Sequence, residues 1–538
     1  MAPTNRDAKT NGTPSDDDAA TAKAKDEYKK LKSPWSLRNI VPNLLVPTAA
    51  SLILWWKMPA GLSPPPTALR SCLDSVCVGT QDCVKYPGSG QDNEFFQWSS
   101  PFNLARKVVP AAVVRPKDAE QVSAFVQCAA QNNVKVQARS GGHSYANYGL
   151  GGYDGSLSID LRNFRYVRLD ETSWHATVGS GSLLGDIDDL LDNQKGNRVF
   201  PHGVCPGVGI GGHATIGGLG PSSRMWGAAL DHIVEVEVVT ANGTIVRANE
   251  KKHEDLFFAI RGAAAGFGIV TEFVMSTVQK PKTTIHFTHR TPYAKAEEIV
   301  RQFQAWQELV ADPELDRRIG TEFTLDPEGS KITATWYGTQ GDFDKSGIAN
   351  KLGLKLTPVE SSWINTKRWQ FENAVLVLSD IPTEFFSRSL GFTAQDLLTK
   401  NATEHLVELV RKNKEQAELK WFCIFDATGG AVSDPATDST AYAHRDKVMF
   451  YQSYVYNIWA PLGKVETELL NDIHRTILDN NPQRPPSTYP GYIDPLLEHP
   501  QETYWGTNLP RLQKIKTAWD PKDVFQNPQS VRPLLRVN

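Results

Sequence analysis

Two glycine-dense stretches constrain this chain more than any of its other features. The first covers residues 139–152 and contains His143, and the second covers residues 201–220 and contains Cys205 and His213. Because glycine has no side chain, backbone N–H groups and α-carbons can approach a large planar ligand closely at such positions. The two stretches therefore predict a cofactor site that offers one histidine and one cysteine.

Length and charge narrow the class of protein. At 538 residues with 40% hydrophobic content, the chain is long enough for one large hydrophobic core or two, and we expect two lobes. Lysine and arginine number 57 against 60 acidic residues, which gives a formal net charge of -3. Nucleic-acid binding needs a strongly positive surface, so we expect no nucleic-acid partner and no polyanionic substrate.

The cysteines indicate an oxidising compartment rather than a metal site. There are six of them: Cys72, Cys77, Cys83, Cys128, Cys205 and Cys423. None forms a CxxC pair, so the spacing lacks a zinc pattern and we expect no metal. The cluster of the first three is typical of the disulfides of an exported protein.

The N-terminal 57 residues precede the folded body. Residues 1–39 are rich in polar residues and poor in large apolar ones, and we interpret them as a disordered leader. Residues 40–57 are mostly apolar, but short for a spanning helix and interrupted by two prolines. A transmembrane signal-anchor, a cleaved signal peptide and a cytosolic surface segment all fit this segment. The first two would place the chain in the secretory pathway, membrane-anchored or secreted, where Asn242 and Asn401 stand in glycosylation sequons.

Hydrophobic periodicity divides the rest of the chain into two parts. A helix over 117–132 followed by a strand over 134–138 predicts a βαβ-like first part. An Asn-Gly pair within 233–248 predicts a hairpin, because this pair tolerates positive φ. From about residue 280, strands alternate with amphipathic helices such as 294–310, which predicts an α+β lobe around an antiparallel sheet.

Further motifs follow the glycine-dense stretches in chain order. They are Arg-Gly-Ala-Ala-Ala-Gly-Phe-Gly-Ile-Val-Thr-Glu-Phe at 261–273, Thr-Ala-Tyr-Ala-His-Arg at 440–445, Tyr-Pro-Gly-Tyr-Ile-Asp at 489–494, and the run 504–525. Over about residues 72–531 the set resembles the berberine bridge enzyme-like branch of FAD-linked oxidases, in the vanillyl-alcohol oxidase superfamily. The motifs are most similar to those of the fungal gluco-oligosaccharide oxidases.

The resemblance implies a fold and a division of the chain. The fold class is α+β, with a two-lobed PCMH-type FAD-binding domain at 68–283. A substrate domain at 284–484 would contain an antiparallel sheet covered by helices. The C-terminal segment, 485–538, would return to the FAD domain.

The resemblance also implies the cofactor, which is FAD held by two covalent bonds. His143 would be joined through a ring nitrogen to the 8α carbon, and Cys205 through sulfur to C6, while His213 is interpreted as structural. Attachment to an imidazole withdraws electrons from the flavin and should raise its reduction potential. The other positions implied to contact FAD are Gly141, Gly142, Ser144, Gly209, Gly212, Gly217, Gly218 and Ile269.

Alcohol oxidation by a flavin needs a base that takes the hydroxyl proton while hydride leaves the carbon. By resemblance this base is Tyr492. An ordinary phenol, with a pKa of about 10, is a poor base at neutral pH. Asp426 matches the family's carboxylate beside that tyrosine, and the pair would pass a proton between them. Tyr145 and Gln452 match positions that face the sugar in the oligosaccharide oxidases.

The match departs from the oligosaccharide oxidases at two positions. Ile424 replaces a glutamine two residues before Asp426, and Val204 replaces a small polar residue before Cys205. Recognition of sugar hydroxyls depends on paired hydrogen bonds, so the pocket is expected to be more apolar than a sugar site.

The resemblance therefore implies an FAD-dependent oxidoreductase that acts on CH–OH groups. Hydride would pass from an alcohol carbon of a small-molecule substrate to flavin N5, and O2 would reoxidise the flavin and yield H2O2. The substrate would be an oligosaccharide or an apolar secondary metabolite. A dehydrogenase with a non-oxygen acceptor and a non-catalytic flavoprotein are the alternatives. The resemblance further implies the disulfides Cys72–Cys128 and Cys77–Cys83, with Cys423 free.

Overall fold

The structure is a computed structural model that describes residues 16–30, 64–88, 92–374, 382–414, 420–457, 461–480 and 486–534. Its helices are α1 (Asp16–Lys30), α2 (Thr67–Val76), α3 (Asp92–Trp98), α4 (Ala119–Gln131), α5 (Leu184–Asp192), α6 (Ile210–Ile216), α7 (Ser223–Trp226), α8 (Glu254–Ala263), α9 (Ala296–Ala311), α10 (Gln340–Lys345), α11 (Ile348–Leu352), α12 (Trp363–Asn373), α13 (Lys400–Asn413), α14 (Lys464–Asp479), α15 (Pro500–Trp505) and α16 (Leu509–Trp519). Its strands are β1 (Val84–Lys85), β2 (Ala112–Val114), β3 (Val136–Arg139), β4 (Leu157–Asp160), β5 (Val167–Leu169), β6 (His175–Gly179), β7 (Arg198–Val199), β8 (Ile233–Val239), β9 (Ile245–Asn249), β10 (Ile269–Ser276), β11 (Val278–Gln279), β12 (Thr284–Pro292), β13 (Ile319–Asp326), β14 (Gly329–Trp336), β15 (Val359–Ser361), β16 (Glu384–Phe392), β17 (Lys420–Ala427) and β18 (Met449–Asn457).

The apolar segment at 40–57 lies outside the described residues. Within the described ranges, no helix combines the length and the apolar character needed to cross a membrane.

The first lobe (residues 64–283 with 486–534) contains two sheets. The smaller has the order β1-β2-β4-β3, in which β2, β4 and β3 run parallel. Helix α4 connects β2 to β3, as the sequence predicts, and is capped by Asp118, whose side chain accepts a hydrogen bond from the Gln121 N–H (2.8 Å). Its apolar face buries Val122, Phe125 and Val126 in the lobe's core. An aspartate at this position satisfies a backbone donor at the helix start.

The larger sheet of the first lobe is antiparallel, with the order β5-β6-β10-β8-β9. Strands β8 and β9 form the predicted hairpin, with Val239 paired to Ile245. Gly243 in the connecting turn has a φ of +84°, which a glycine adopts without strain. The C-terminal segment returns to this lobe: Leu512 lies in the same core, and the Val136 N–H donates to the Val524 carbonyl (2.9 Å).

The second lobe (residues 284–480) is built on a seven-stranded antiparallel sheet, with the order β15-β12-β14-β13-β17-β18-β16. Helices α9, α13 and α14 cover one face and contribute Trp306, Leu406 and Leu470 to its core. The opposite face, which we call the cavity face, turns toward the first lobe. Because successive side chains of a strand point to opposite faces, Phe425 of β17 enters the core and Asp426 faces the cavity. The predicted α+β fold is confirmed, while the exact domain boundaries stay a proposal.

Part of the leader is helical, so the prediction of disorder is wrong for Asp16–Lys30. Ala24 and Tyr28, four residues apart on one face of α1, are buried. The Tyr28 hydroxyl donates to Asp186 and accepts from the Leu183 N–H (3.1 Å). A stripe this narrow is hard to recognise in a polar sequence, because its stability comes from docking rather than from amphipathic composition.

Both implied disulfides are present. Cys72 on α2 is bonded to Cys128 on α4, and Cys77 is bonded to Cys83. Cys423 is a buried free thiol on β17. The Cys72–Cys128 bond joins α2 to α4, the helix that connects two strands of the small sheet.

Candidate active site

A cavity of about 430 Å³ lies between the first lobe and the cavity face of the second. Nearly all of the predicted site residues line it: Gly141, Gly142, His143, Ser144, Tyr145, Cys205, Gly209, Gly212, Ile269, Asp426, Gln452 and Tyr492. Thus the fold brings the two glycine-dense loops of one lobe and the polar strand residues of the other to a single space. Gly217 and Gly218 are the two predicted residues that lie outside its wall.

The two glycine-dense loops contact each other back to back. A Cβ on Gly141 would come 2.4 Å from the Gly209 nitrogen, and a Cβ on Gly209 would come 2.1 Å from the Gly141 nitrogen. Such distances exclude any side chain at either position, so these glycines bring the histidine loop and the cysteine loop together. At Gly212 the opposite holds, because a Cβ there would meet nothing within 4 Å. The wall is therefore bare backbone facing open space, which fits a large planar group such as a flavin.

Gly217 and Gly218 form a turn beside the cavity, and their contact with FAD stays a prediction. Their φ angles are +143° and +81°, and the Gly218 N–H donates to the Tyr489 hydroxyl (2.9 Å). Tyr489 itself lines the cavity. The two glycines therefore form the turn that orients a cavity tyrosine.

His213 forms a hydrogen bond within the cysteine loop itself. Its Nε2 accepts a hydrogen bond from the Gly203 N–H (2.9 Å), two residues before Cys205. Burial lowers the pKa of His213 to about 3, so the imidazole is neutral at physiological pH and can act as this acceptor. The geometry agrees with a structural role.

Five polar residues form a hydrogen-bonded chain at the cavity. The Asp426 carboxylate is hydrogen-bonded to the Tyr492 side chain and accepts a further bond from the Gln452 amide. The Gln452 carbonyl oxygen accepts from the Tyr454 hydroxyl. The Tyr454 hydroxyl lies 3.0 Å from that of Tyr145. Thus Tyr145, which the sequence assigned to substrate contact, is connected to the carboxylate through β18.

The environment sets the proton affinities of this cluster. Burial, and next the negative charge of Glu322, raise the pKa of Asp426 to about 7. Burial, and next the charge of Asp426, raise the pKa of Tyr492 well above that of a free phenol. The pair therefore holds the tyrosine proton at neutral pH, while the carboxyl can gain or lose a proton near that pH.

Glu322 is a site residue that the sequence reasoning missed. It lies on β13 as the cross-strand partner of Asp426, lines the cavity, and has a pKa raised by burial. Its neighbours in the chain, Thr321 and Phe323, point to the helix-covered face, where Thr321 accepts from the Trp306 indole (3.2 Å). Its signal in the sequence is a single carboxylate within the α+β lobe predicted from about residue 280. The periodicity could not indicate which carboxylate lies beside it.

An apolar cluster flanks the polar chain on the same sheet face. Ile424, Phe385, Phe422 and Tyr454 are buried together, and Tyr145 packs against them. Val204 lines the cavity beside Cys205. The two departures noted in the sequence thus both lie at the cavity, where each presents a hydrocarbon surface.

Comparison with known proteins identifies the family. A family model described as an FAD binding domain matches residues 110–249, and one described as berberine and berberine like matches residues 488–532. An FAD-linked oxidoreductase, sorD, of Penicillium rubens is 35% identical over 480 residues, which cover 87% of this chain and 99% of the relative. This chain belongs to the berberine bridge enzyme-like family of FAD-linked oxidoreductases. Its cofactor is FAD, as the resemblance implied.

Solved structures of this family have the same fold. A xylooligosaccharide oxidase from Myceliophthora thermophila, in complex with xylobiose, superposes with a TM-score of 0.79 at 30% identity, over 87% of this chain and all of the other. A glucooligosaccharide oxidase from Acremonium strictum, with a TM-score of 0.78 and 31% identity over the same shares, is described by its 6-S-cysteinyl, 8α-N1-histidyl FAD. The berberine bridge enzyme-like fold thus extends over the whole body of the chain.

Proposed function

We propose that this oxidoreductase removes hydride from an alcohol carbon of a small apolar substrate, with FAD attached to His143 and Cys205 and O2 as the final acceptor. The observation that carries the proposal is the Tyr492–Asp426 pair at the cavity, beside loops that present His143 and Cys205. FAD, when bound, accepts the hydride at N5 and passes two electrons to O2, giving H2O2.

Side chains of the protein accept the hydroxyl proton of the substrate. Tyr492 takes the hydroxyl proton of the substrate and releases its own to Asp426, whose pKa of about 7 suits a group that accepts and later returns a proton. Gln452 holds the carboxylate in place through its amide. Because the Ser389 hydroxyl donates to the Tyr492 carbonyl (2.6 Å), the backbone of the base is fixed independently of its phenol.

Bicovalent attachment is supported by two facts. His143 and Cys205 both line the cavity, on loops that contact each other through Gly141 and Gly209. The glucooligosaccharide oxidase of A. strictum carries FAD bonded to one histidine and one cysteine. We infer that this chain uses the same two residue types, at positions 143 and 205.

The apolar cluster around Ile424 favours an apolar substrate over a sugar, because a hydroxyl-rich ligand needs polar partners where this chain has hydrocarbon. An oligosaccharide is the second candidate. It is favoured by the other part of the cavity wall, where Glu322, Thr333, Thr335 and Gln370 offer hydrogen-bonding groups. The two disulfides favour an oxidising compartment, so we further propose that the protein enters the secretory pathway.

The test is a visible spectrum, taken first on acid-precipitated protein and then during anaerobic mixing with lipophilic alcohols and with oligosaccharides. Colour retained by the precipitate and bleached only by lipophilic alcohols supports the proposal. Bleaching by an oligosaccharide favours the second candidate, and colour released into the supernatant contradicts covalent attachment. A reduced flavin that reoxidises slowly in air indicates a dehydrogenase, and no bleaching at all indicates a non-catalytic flavoprotein.

The matched variant is Tyr492→Phe. It should keep its attached flavin and lose about 10² to 10⁴-fold in the bleaching rate, because only the proton acceptor is removed. A variant that bleaches at the wild-type rate would exclude Tyr492 as the base.

A further inference from the structure

Three buried ionisable side chains connect the two lobes beside the cysteine loop. Asp188 lies on α5 of the first lobe, Lys367 on α12 of the second, and His202 directly precedes Gly203. The Asp188 carboxylate lies 3.1 Å from His202 Nε2 and 3.5 Å from Lys367 Nζ. Their side chains are 6%, 2% and 5% exposed, for Asp188, His202 and Lys367 respectively. Charged groups are kept this far from water only when they are paired.

The ring of His202 bridges helix α5 and the cysteine loop. Its Nδ1 lies 2.8 Å from the Gly203 carbonyl oxygen, and its Nε2 lies 3.1 Å from the Asp188 carboxylate. The position of the cysteine loop is therefore tied to Asp188 through this imidazole.

The segment from His202 to Cys205 is fixed at successive points. His202 is held by Asp188, and the Gly203 N–H by His213. A Cβ on Gly220 would come 2.0 Å from the His202 carbonyl oxygen, so the far end of the glycine-dense loop packs directly on this backbone. Helix α12, which supplies Lys367, also contributes Gln370 to the cavity wall.

We propose that Asp188, His202 and Lys367 are positioning residues that set the place of the Cys205 sulfur for bonding to flavin C6. The inference rests on the covalent attachment proposed above. Forming the Sγ–C6 bond breaks the Cys205 S–H bond and the flavin C6–H bond. The two electrons and two protons released reduce one O2 to H2O2. The contacts of the three residues reach the cysteine loop through His202, so attachment at His143 should not depend on them.

The experiment compares purified holoenzymes by proteolysis and peptide mass, which report separately on flavin bonded to His143 and to Cys205. Asp188→Asn weakens the contact between α5 and His202, and His202→Gln removes the imidazole that bridges Asp188 and the cysteine loop. The fraction of chains with the Cys205 thioether should fall at least about tenfold, since misplacement by 1 Å slows bond formation on the order of 100-fold. Attachment at His143 should persist. Lys367→Arg keeps the cation and should keep the thioether, whereas Lys367→Gln should lose part of it.

The matched control is Asp192→Asn. Asp192 lies on the same helix and pairs with Lys280 (2.5 Å), away from the cysteine loop, and this variant should have the wild-type thioether. Folding of Asp188→Asn is judged by flavin retention at His143. If this variant does not fold, the proposal is tested by comparing the Cys205 thioether in His202→Gln and in the two Lys367 variants. Folded variants that keep the full thioether would overturn this inference alone. A wild-type chain without any thioether would overturn the proposed attachment as well.

Discussion

At the scale of single residues, Asp426 is tuned by a neighbour that comes from another strand. Its carboxyl lines the cavity, on the strand next to that of Glu322, so that two acidic groups lie side by side in the wall. Burial and the like charge of Glu322 both disfavour ionisation of Asp426, and both raise its pKa. A carboxyl whose pKa is about 7 can take a proton from Tyr492 during oxidation and lose it afterwards.

The pH dependence of flavin reduction tests this tuning. Protonated Asp426 cannot accept a proton, so the reduction rate should decrease as the pH falls through about 7. Glu322→Gln removes the like charge and should move this acid limb to lower pH. Anaerobic stopped-flow reduction, measured between about pH 5 and pH 9, provides the profile. Glu328→Gln, an exposed residue of the same lobe, is the control, and an acid limb unmoved in Glu322→Gln would contradict the argument.

At the scale of elements, the sequence predicts which segments form strands and helices better than it predicts which strands pair with each other. The strands and helices predicted from about residue 280 are present, for example as α9 and β13, because each buries a mostly apolar face in the core. The order β14-β13-β17, which brings Glu322 beside Asp426, depends on how the sheet assembles. Local periodicity carries no such information. Candidate cofactor residues can be proposed from the sequence because their motifs are local, whereas Glu322 and Asp188 contact partners far along the chain.

The two disulfides offer a test of how elements are joined. Cys72–Cys128 closes a sequence separation of 56 residues and Cys77–Cys83 one of 6. In the loop-entropy description, removing the first should lower the free energy of unfolding by about 4 kcal/mol and removing the second by about 2 kcal/mol. Urea unfolding of the paired Cys→Ala variants measures both. Equal losses, or a larger loss for the short loop, would show that loop entropy is not the main contribution.

Helix α1 makes a separate prediction, because a single tyrosine supplies its buried polar contacts. Tyr28→Phe leaves Asp186 without a donor and the Leu183 N–H without its acceptor. Removing one partner of a buried hydrogen bond costs about 1 to 3 kcal/mol, so α1 should detach more often. Hydrogen exchange over Asp16–Lys30 should then speed up, while Lys23→Ala, at an exposed position of the helix, should exchange as the wild type does. Unchanged protection in Tyr28→Phe would mean that apolar packing alone docks the helix.

At the scale of the whole molecule, the two lobes are joined by a buried guanidinium rather than by an apolar interface alone. Arg224 on α7 donates to the carbonyl oxygens of Ile319 (3.1 Å), Thr428 (2.6 Å) and Leu315 (3.3 Å), all in the second lobe. Burial lowers the pKa of Arg224 to about 10, which still leaves it charged at neutral pH. Thr428 also lines the cavity, so this contact lies directly beside the site.

Replacing this arginine should therefore loosen the cavity as well as the fold. Arg224→Met leaves three carbonyls without donors and should lower the free energy of unfolding by about 3 kcal/mol, since hydrogen bonds to charged groups are stronger than neutral ones. Arg317→Met is the control, because the Arg317–Asp434 pair is about half exposed and contributes at most about 1 kcal/mol. Urea unfolding measures the loss of free energy of unfolding in each of the two variants, and the loss should be larger for Arg224→Met. Because the cavity walls come from both lobes, Arg224→Met should also raise KM, and a variant with wild-type stability and KM would show that the remaining contacts alone hold the lobes in register.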